Sequence, residues 1–162
     1  MLSQSIGMRT LCVFVFCLSF ALIDAGAKQR QCTFRVHAQA NPQDSDVFSI
    51  PARATSSGKD VAIQKLAWIT EHDVMAFSAY PARDGTFGAL FQLDDHGRVV
   101  LDTLSVEHRG DFLFVFINGR MITELQIDKR VSDGKIYVPS GLTAGDVELM
   151  KKKWRSREER KR

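Results

Sequence analysis

The chain has 162 residues, 44% of them hydrophobic and 25% charged, and carries a net charge of +3. Such a length and balance suit one folded domain around a single core, and exclude a disordered, collagen-like or multi-domain chain. The charge is uneven, because Lys151 to Arg162 holds eight Lys and Arg against two Glu, which leaves the remainder net acidic.

The N-terminus reads as a secretory leader. Arg9 precedes "LCVFVFCLSFALI", thirteen residues of which only Ser19 is polar, and Ala25-Gly26-Ala27 follows. An apolar segment too short to cross ~30 Å of hydrocarbon as a helix, with a basic start and an A-x-A site, predicts cleavage after Ala27. The alternative is an uncleaved membrane anchor. Cys17 and Cys32 lack the small residues that precede a lipidated cysteine. Because Cys12 and Cys17 leave with the leader, Cys32 is the lone exported thiol and no internal disulfide can form. It opens the alternating "CTFRVHA" in phase with Phe34, Val36 and Ala38, so it is expected to be buried.

In chain order, "CTFRVHAQA" predicts a strand, "NPQDSD" a turn, "VFSIPARA" a second strand and "TSSGKD" an exposed loop. "VAIQKLAWI" follows as one strand. Thr70 to Asp73 has capping-box form and predicts one helical turn before the strand "MAFSAYPA". "RDG" turns the chain into "TFGALFQL", whose Phe87, Ala89, Phe91 and Leu93 share a face. Asp94 and Asp95 then cap a helix with Val100, Leu101 and Leu104 as its apolar stripe, His108 and Arg109 in its last turn and Gly110 as its stop. After a hairpin comes the strand "GKIYVPS". Thr143 to Asp146 repeats the capping-box pattern before a terminal helix with Val147, Met150 and Trp154 on one face. This order implies an α+β fold, a mainly antiparallel sheet with two helices packed on one face in a split β-α-β-like layout.

The hairpin, "DFLFVFINGRMITELQID", carries the functional argument. Asn118-Gly119 suits a two-residue type I′ turn, which needs positive φ at both positions. That turn sets Phe116 opposite Met121, Phe114 opposite Thr123 and Phe112 opposite Leu125, the face expected to lie under the helices. Leu113, Val115, Ile117 and Ile122 then form a second apolar face, predicted to be a docking surface unless another segment of the chain folds across it. Arg120 stands at the turn, where a contact role would cost little side-chain entropy.

Enzymatic readings are less well supported. His72-Asp73 and Glu107-His108 each pair an imidazole with a carboxylate, but adjacent helical residues diverge by about 100° and cannot share one ion. Asp94-Asp95-His96 has the composition of a hydrolytic cluster, although capping accounts for it with fewer assumptions. Ser78, Ser105 and Ser132 lack a nucleophile-elbow context, and Gly85 and Gly88 show no phosphate-loop spacing. No catalytic residue, metal site or cofactor is expected. A nucleic-acid partner is not expected either, since neither interleaved aromatics nor zinc-finger spacing accompanies the basic residues. The basic tail is read as a solvated helix end, with contact to an anionic membrane as the alternative.

From about Leu66 to Trp154 the chain resembles the periplasmic head subdomain of SecD, the membrane partner of the protein-export channel. "LDDHG", Leu93 to Gly97, is similar to the family's helix opening, and Thr103 follows on that helix. "FLFVFING" resembles the family's apolar strand and turn, with Asn118 in place of its aspartate. "DGKIYVPSGLTAGDVELM" resembles its ending, and "ITEHDV" the "LTGEDI" that opens the head. The resemblance implies a head-like domain outside the cytoplasm that touches exported polypeptides or a partner. It does not carry over transport, because the membrane helices of SecD have no counterpart in this sequence.

The resulting division is a leader at 1–27, N-terminal strands and loop at 28–65, the α+β domain at 66–154 and a basic tail at 155–162. The expected function is non-enzymatic binding of a protein or unfolded peptide. Rival readings are a small hydrolase or metal-dependent enzyme using His72, His96 or His108, and a structural envelope protein that forms a homodimer.

Overall fold

Strand and helix follow the expected order closely in a computed structural model of the protein, which describes residues 31–41, 47–54 and 58–154. The expected leader and the basic tail from 155 lie outside the described residues. The elements are β1 (Phe34–Ala38), β2 (Ser49–Arg53), β3 (Asp60–Gln64), β4 (Ile69–Thr70), β5 (Val74–Pro81), β6 (Phe87–Leu93), α1 (Asp95–Glu107), β7 (Phe112–Ile117), β8 (Arg120–Gln126), β9 (Lys135–Leu142) and α2 (Ala144–Lys153).

Every ladder is antiparallel, as an α+β fold with short connections requires. The strands form three sheets, β4-β1-β7-β8, β5-β6-β9 and the ribbon β2-β3, rather than a single sheet. β8 and β9 run close together without a ladder, and there Gly141, at φ 96°, lies against Ile122. One main core joins the two larger sheets and both helices. It includes Phe34, Phe77, Phe91, Leu101, Leu104, Val115, Val147, Met150 and Trp154.

Both helices begin as their sequences dictate. Asp94 Oδ1 accepts from Gly97 N–H at 2.8 Å, and Thr143 with Asp146 forms a complete capping box. Cys32 is buried in phase with Phe34, Val36 and Ala38, as expected.

Three expectations are corrected. Residues 70–73 make only half of a capping box, Thr70 N–H and hydroxyl donating to Asp73 Oδ2 at 2.7 and 3.0 Å while Asp73 N–H donates to the Thr70 carbonyl, and they form a turn and not a helix. The next eight residues pair with β6, and that ladder overrides the local signal. "VAIQKLAWI" is broken into β3 and β4 by Lys65–Trp68, since its two ends serve different sheets.

The hairpin register is right only at its tip. Asn118 and Gly119 have φ of 52° and 77° and Phe116 faces Met121, but a bulge at Val115/Phe116 shifts the rest, so Val115 faces Thr123 and Phe114 faces Glu124. Residues before 66 share the sheet and the core with those after it. β1 lies inside the sheet between β4 and β7, and its Phe34, Val36 and Ala38 belong to the main core.

Candidate functional site

Because β7 is flanked by β1 and β8, both of its faces need cover. The face expected to dock a partner is the one turned into the core. Leu113, Val115, Ile117 and Ile122 are 3%, 0%, 0% and 8% exposed and pack in the main cluster. This overturns them as a docking surface. A strand apolar at every position carries no signal of which face is inward, so the assignment was inverted.

The opposite face is covered too. His37 of β1 is the register neighbour of Phe114, which is 1% exposed, and its Nδ1 lies 2.9 Å from the carbonyl oxygen of Gln64 on β3. The β2-β3 ribbon is thereby tied to β1 on this side of the sheet.

The ribbon itself exposes apolar surface. Lys65 N–H donates to Phe48 O at 2.8 Å, which brings the start of β2 and the end of β3 together. Around this pair Val47, Phe48 and Leu66 are 66%, 68% and 82% exposed, with Ile50 and Trp68 partly so. Val47, Phe48, Gln64, Lys65 and Leu66 line an open cleft of about 480 Å³. Five of the nine exposed large apolar side chains among the described residues gather at this one end. Trp68 marks its rim, its Nε1–H donating to Gln64 Oε1 at 2.5 Å. Pro51 opposes Ala62 in the middle of β2. Residues 48 and 54 bond to β3 through Lys65 and Lys59, so the alternate position 51 faces the sheet edge, where proline offers no donor to an incoming strand. The surface thus suits side-chain contact better than strand addition.

Arg120 has a different neighbourhood. Its Nη2 donates to Asp146 Oδ2 at 2.5 Å, and the same carboxylate accepts from Thr143 N–H, Thr143 hydroxyl and Asn118 Nδ2. Asn118 also exchanges hydrogen bonds with the backbone of Thr33. One buried carboxylate therefore ties the hairpin turn to the first turn of α2, and Asn118 ties that turn to the chain just before β1. Burial works to raise the pKa of Asp146, but the hydrogen bonds from Thr143 and Asn118, with Arg120 beside them, hold it below its ordinary value. Arg120 is half exposed in an open cleft of about 750 Å³ shared with Gln31, Thr33 and Leu149, with its charge already engaged.

The histidines do not converge. His72 is exposed beside Glu71, His96 Nδ1 lies 2.7 Å from Asp73 Oδ1, and His108 Nδ1 lies 3.3 Å from Asp111. Asp73, Asp94 and His96 do place ligand-type atoms within 4.8 Å of one another. Their oxygens, however, already serve Thr70, His96 and the Gly97 cap, at the positive end of the α1 dipole, where a cation is disfavoured. Burial alone would raise the Asp73 pKa, but the Thr70 and His96 hydrogen bonds lower it. The buried Cys32 thiol is pushed up to about 11 by desolvation, which keeps it protonated and unreactive.

No family model and no curated protein matches the sequence. Among solved structures the chain is similar to one described as a membrane component SecDF that enhances protein export, at 11% identity and a TM-score of 0.55. That match covers 77% of this chain and 64% of the other, so the chain spans a little under two thirds of its length. A second similar structure is SecDF in its super-membrane-facing form, at 12% identity and a TM-score of 0.51, over 76% of this chain and 19% of that one. At these identities the likeness is one of fold, and the expected SecD-like α+β fold is borne out. None of the helices among the described residues is long and apolar enough to cross a membrane.

Proposed function

We propose that the chain is an exported, non-enzymatic domain that binds apolar segments of unfolded polypeptide, in support of protein export. The observation that carries this reading is the exposed cluster of Val47, Phe48, Leu66 and Trp68 at the open end of the ribbon, on a fold like that of SecDF. Isolated surface leucines are ordinary, but a contiguous apolar patch marks a place where something else binds. The cluster replaces the buried hairpin face as the docking surface, and Arg120 holds the hairpin to α2.

A fluorescent peptide of nine apolar residues, titrated by anisotropy, tests the reading. Wild-type protein should bind it, and Phe48→Ser with Leu66→Ser should weaken binding at least tenfold while leaving the fold intact. Equal binding by the variant, or none by the wild type, rejects it. Light scattering distinguishes self-association through the same cluster, which predicts a dimer that the double variant dissolves. Replacing His72, His96 and His108 together should leave peptide binding unchanged, whereas an enzyme built on them would lose its activity.

A further inference from the structure

Among the described residues, the ribbon is tied to β1 by the Gln39–Ile63 bridge, the hydrogen bond from Ala40 N–H to Ala62 O, and the ring of His37. His37 is 7% exposed, packs edge-on to Phe116 at 5.3 Å, and shares its sheet face with Phe114. With Nδ1–H donating to Gln64 O, the neutral ring leaves Nε2 without its proton.

We infer that His37 is an acid-operated latch: its neutral, buried ring ties the β2-β3 ribbon to β1 through the Gln64 carbonyl, and its protonation loosens that tie. A second ring proton, on Nε2, leaves the Gln64 hydrogen bond in place, so what loosens the tie is the cost of putting a whole charge on a ring that is buried against Phe116. β7 offers it only apolar side chains, Phe112 to Ile117. On β1 the nearest charge on that face is Arg35, of the same sign. Glu124 of β8 lies beyond Phe114 in the same cross-strand row, and Lys65 adjoins Gln64 at the end of β3. At the far end of β3 stands Asp60, while β4 contributes Ile69 and Thr70, with Glu71 following. Burial lowers the ring's pKa below its ordinary 6.5, the Gln64 hydrogen bond opposes that shift and Arg35 adds to it.

The sign follows from this direction. The loosened ribbon binds the proton more readily than the tied one, so the tie is most favoured above pH 6.5 and weakens as pH falls through that value. Loosening would free Gln64 and Lys65, which line the docking cleft. The link to binding rests on the function proposed above, whereas the latch itself does not.

Amide hydrogen exchange on the full chain, corrected for intrinsic rates between pH 7.5 and 5, tests it. Opening of Ala62 to Lys65 and Ala40 should rise by up to about tenfold per pH unit below 6.5, while β5-β6-β9 stays flat. In His37→Gln, which keeps a donor but cannot titrate, and in His37→Phe, that dependence should vanish. Flat protection in the wild type, or the same slope in both variants, overturns the latch. A direct NMR titration of His37 in the wild type needs no variant, and a pKa at or above 6.5 would also overturn it. Peptide binding at pH 7.5 is read separately. Its absence rejects the docking reading and leaves the latch standing, while a sloped ribbon with pH-independent binding removes only the link between them.

Discussion

Hairpin β7-β8 and ribbon β2-β3 are both antiparallel strand pairs with apolar side chains on more than one face, yet one is the centre of the molecule and the other its rim. β7 has a ladder on either side, and Leu113, Phe114, Val115 and Ile117 are all buried. Among the described residues the ribbon has no ladder beyond its own, is tied to β1 by one bridge, one backbone hydrogen bond and the His37 ring, and leaves Phe48 and the nearby Leu66 exposed. The difference shows that apolar content alone does not mark a binding surface. What decides is whether the rest of the chain has strands and helices left to cover it, and here they are spent on β7. The largest effect should therefore come from Phe114→Ala, which empties a fully buried site on β7 and should cost about 3–5 kcal/mol in urea unfolding. A loss below ~1 kcal/mol would mean that the Phe114 side of the sheet is not closed to water.

Next in size is the clamp between the hairpin turn and α2. Asp146→Asn removes a buried acceptor from Thr143, Asn118 and Arg120 at once, with an expected loss of about 2–4 kcal/mol at pH 7. Because the folded-state pKa is lowered from 3.8, this contribution is fully present above that value and fades as pH falls through the folded pKa. Urea midpoints of wild type and variant should accordingly draw together at pH 3 and below. A gap that is the same at pH 7 and pH 3 would place the stabilisation in packing and not in the carboxylate.

A smaller effect tests the turn itself. Gly119 has φ 77° with nothing within 4 Å of an added Cβ, so Gly119→Ala should cost only the left-handed backbone penalty, about 1 kcal/mol. A thermal shift several times larger would indicate that the tip is packed against chain outside the described residues.

Local signals were the legible ones. The Asn118-Gly119 turn, the Asp94 and Thr143 caps and the Phe87-to-Leu93 alternation all depend on residues within a few positions of one another, and each was readable from sequence. What failed depends on distant partners. "FLFVFI" is apolar at every position, so only β1 and the ribbon, about fifty to eighty residues away in sequence, decide which side meets the helices. Thr70-Asp73 made the bond from Thr70 N–H to the acid and still no helix, because β6 claimed the residues that follow. The docking cluster was missed for the same reason. Val47, Phe48 and Leu66 read as ordinary strand residues until Lys65 and Phe48 are seen to pair at an uncovered end.

The smallest expected effect on stability is also the sharpest test of the contrast between the two strand pairs. At 68% exposure Phe48 has little burial to lose, so Phe48→Ser should move the unfolding free energy by no more than about 0.5 kcal/mol. Its peptide affinity should nevertheless fall severalfold, since the same exposure that makes it dispensable to the fold leaves its ring open to a ligand. Urea unfolding and anisotropy on one preparation measure both. If stability drops by 2 kcal/mol or more, the ring is part of the core through chain outside the described residues, and the ribbon end is an interior surface like β7. If neither quantity moves, the cluster is exposed without being used, and contiguity of apolar side chains is not enough to define the site.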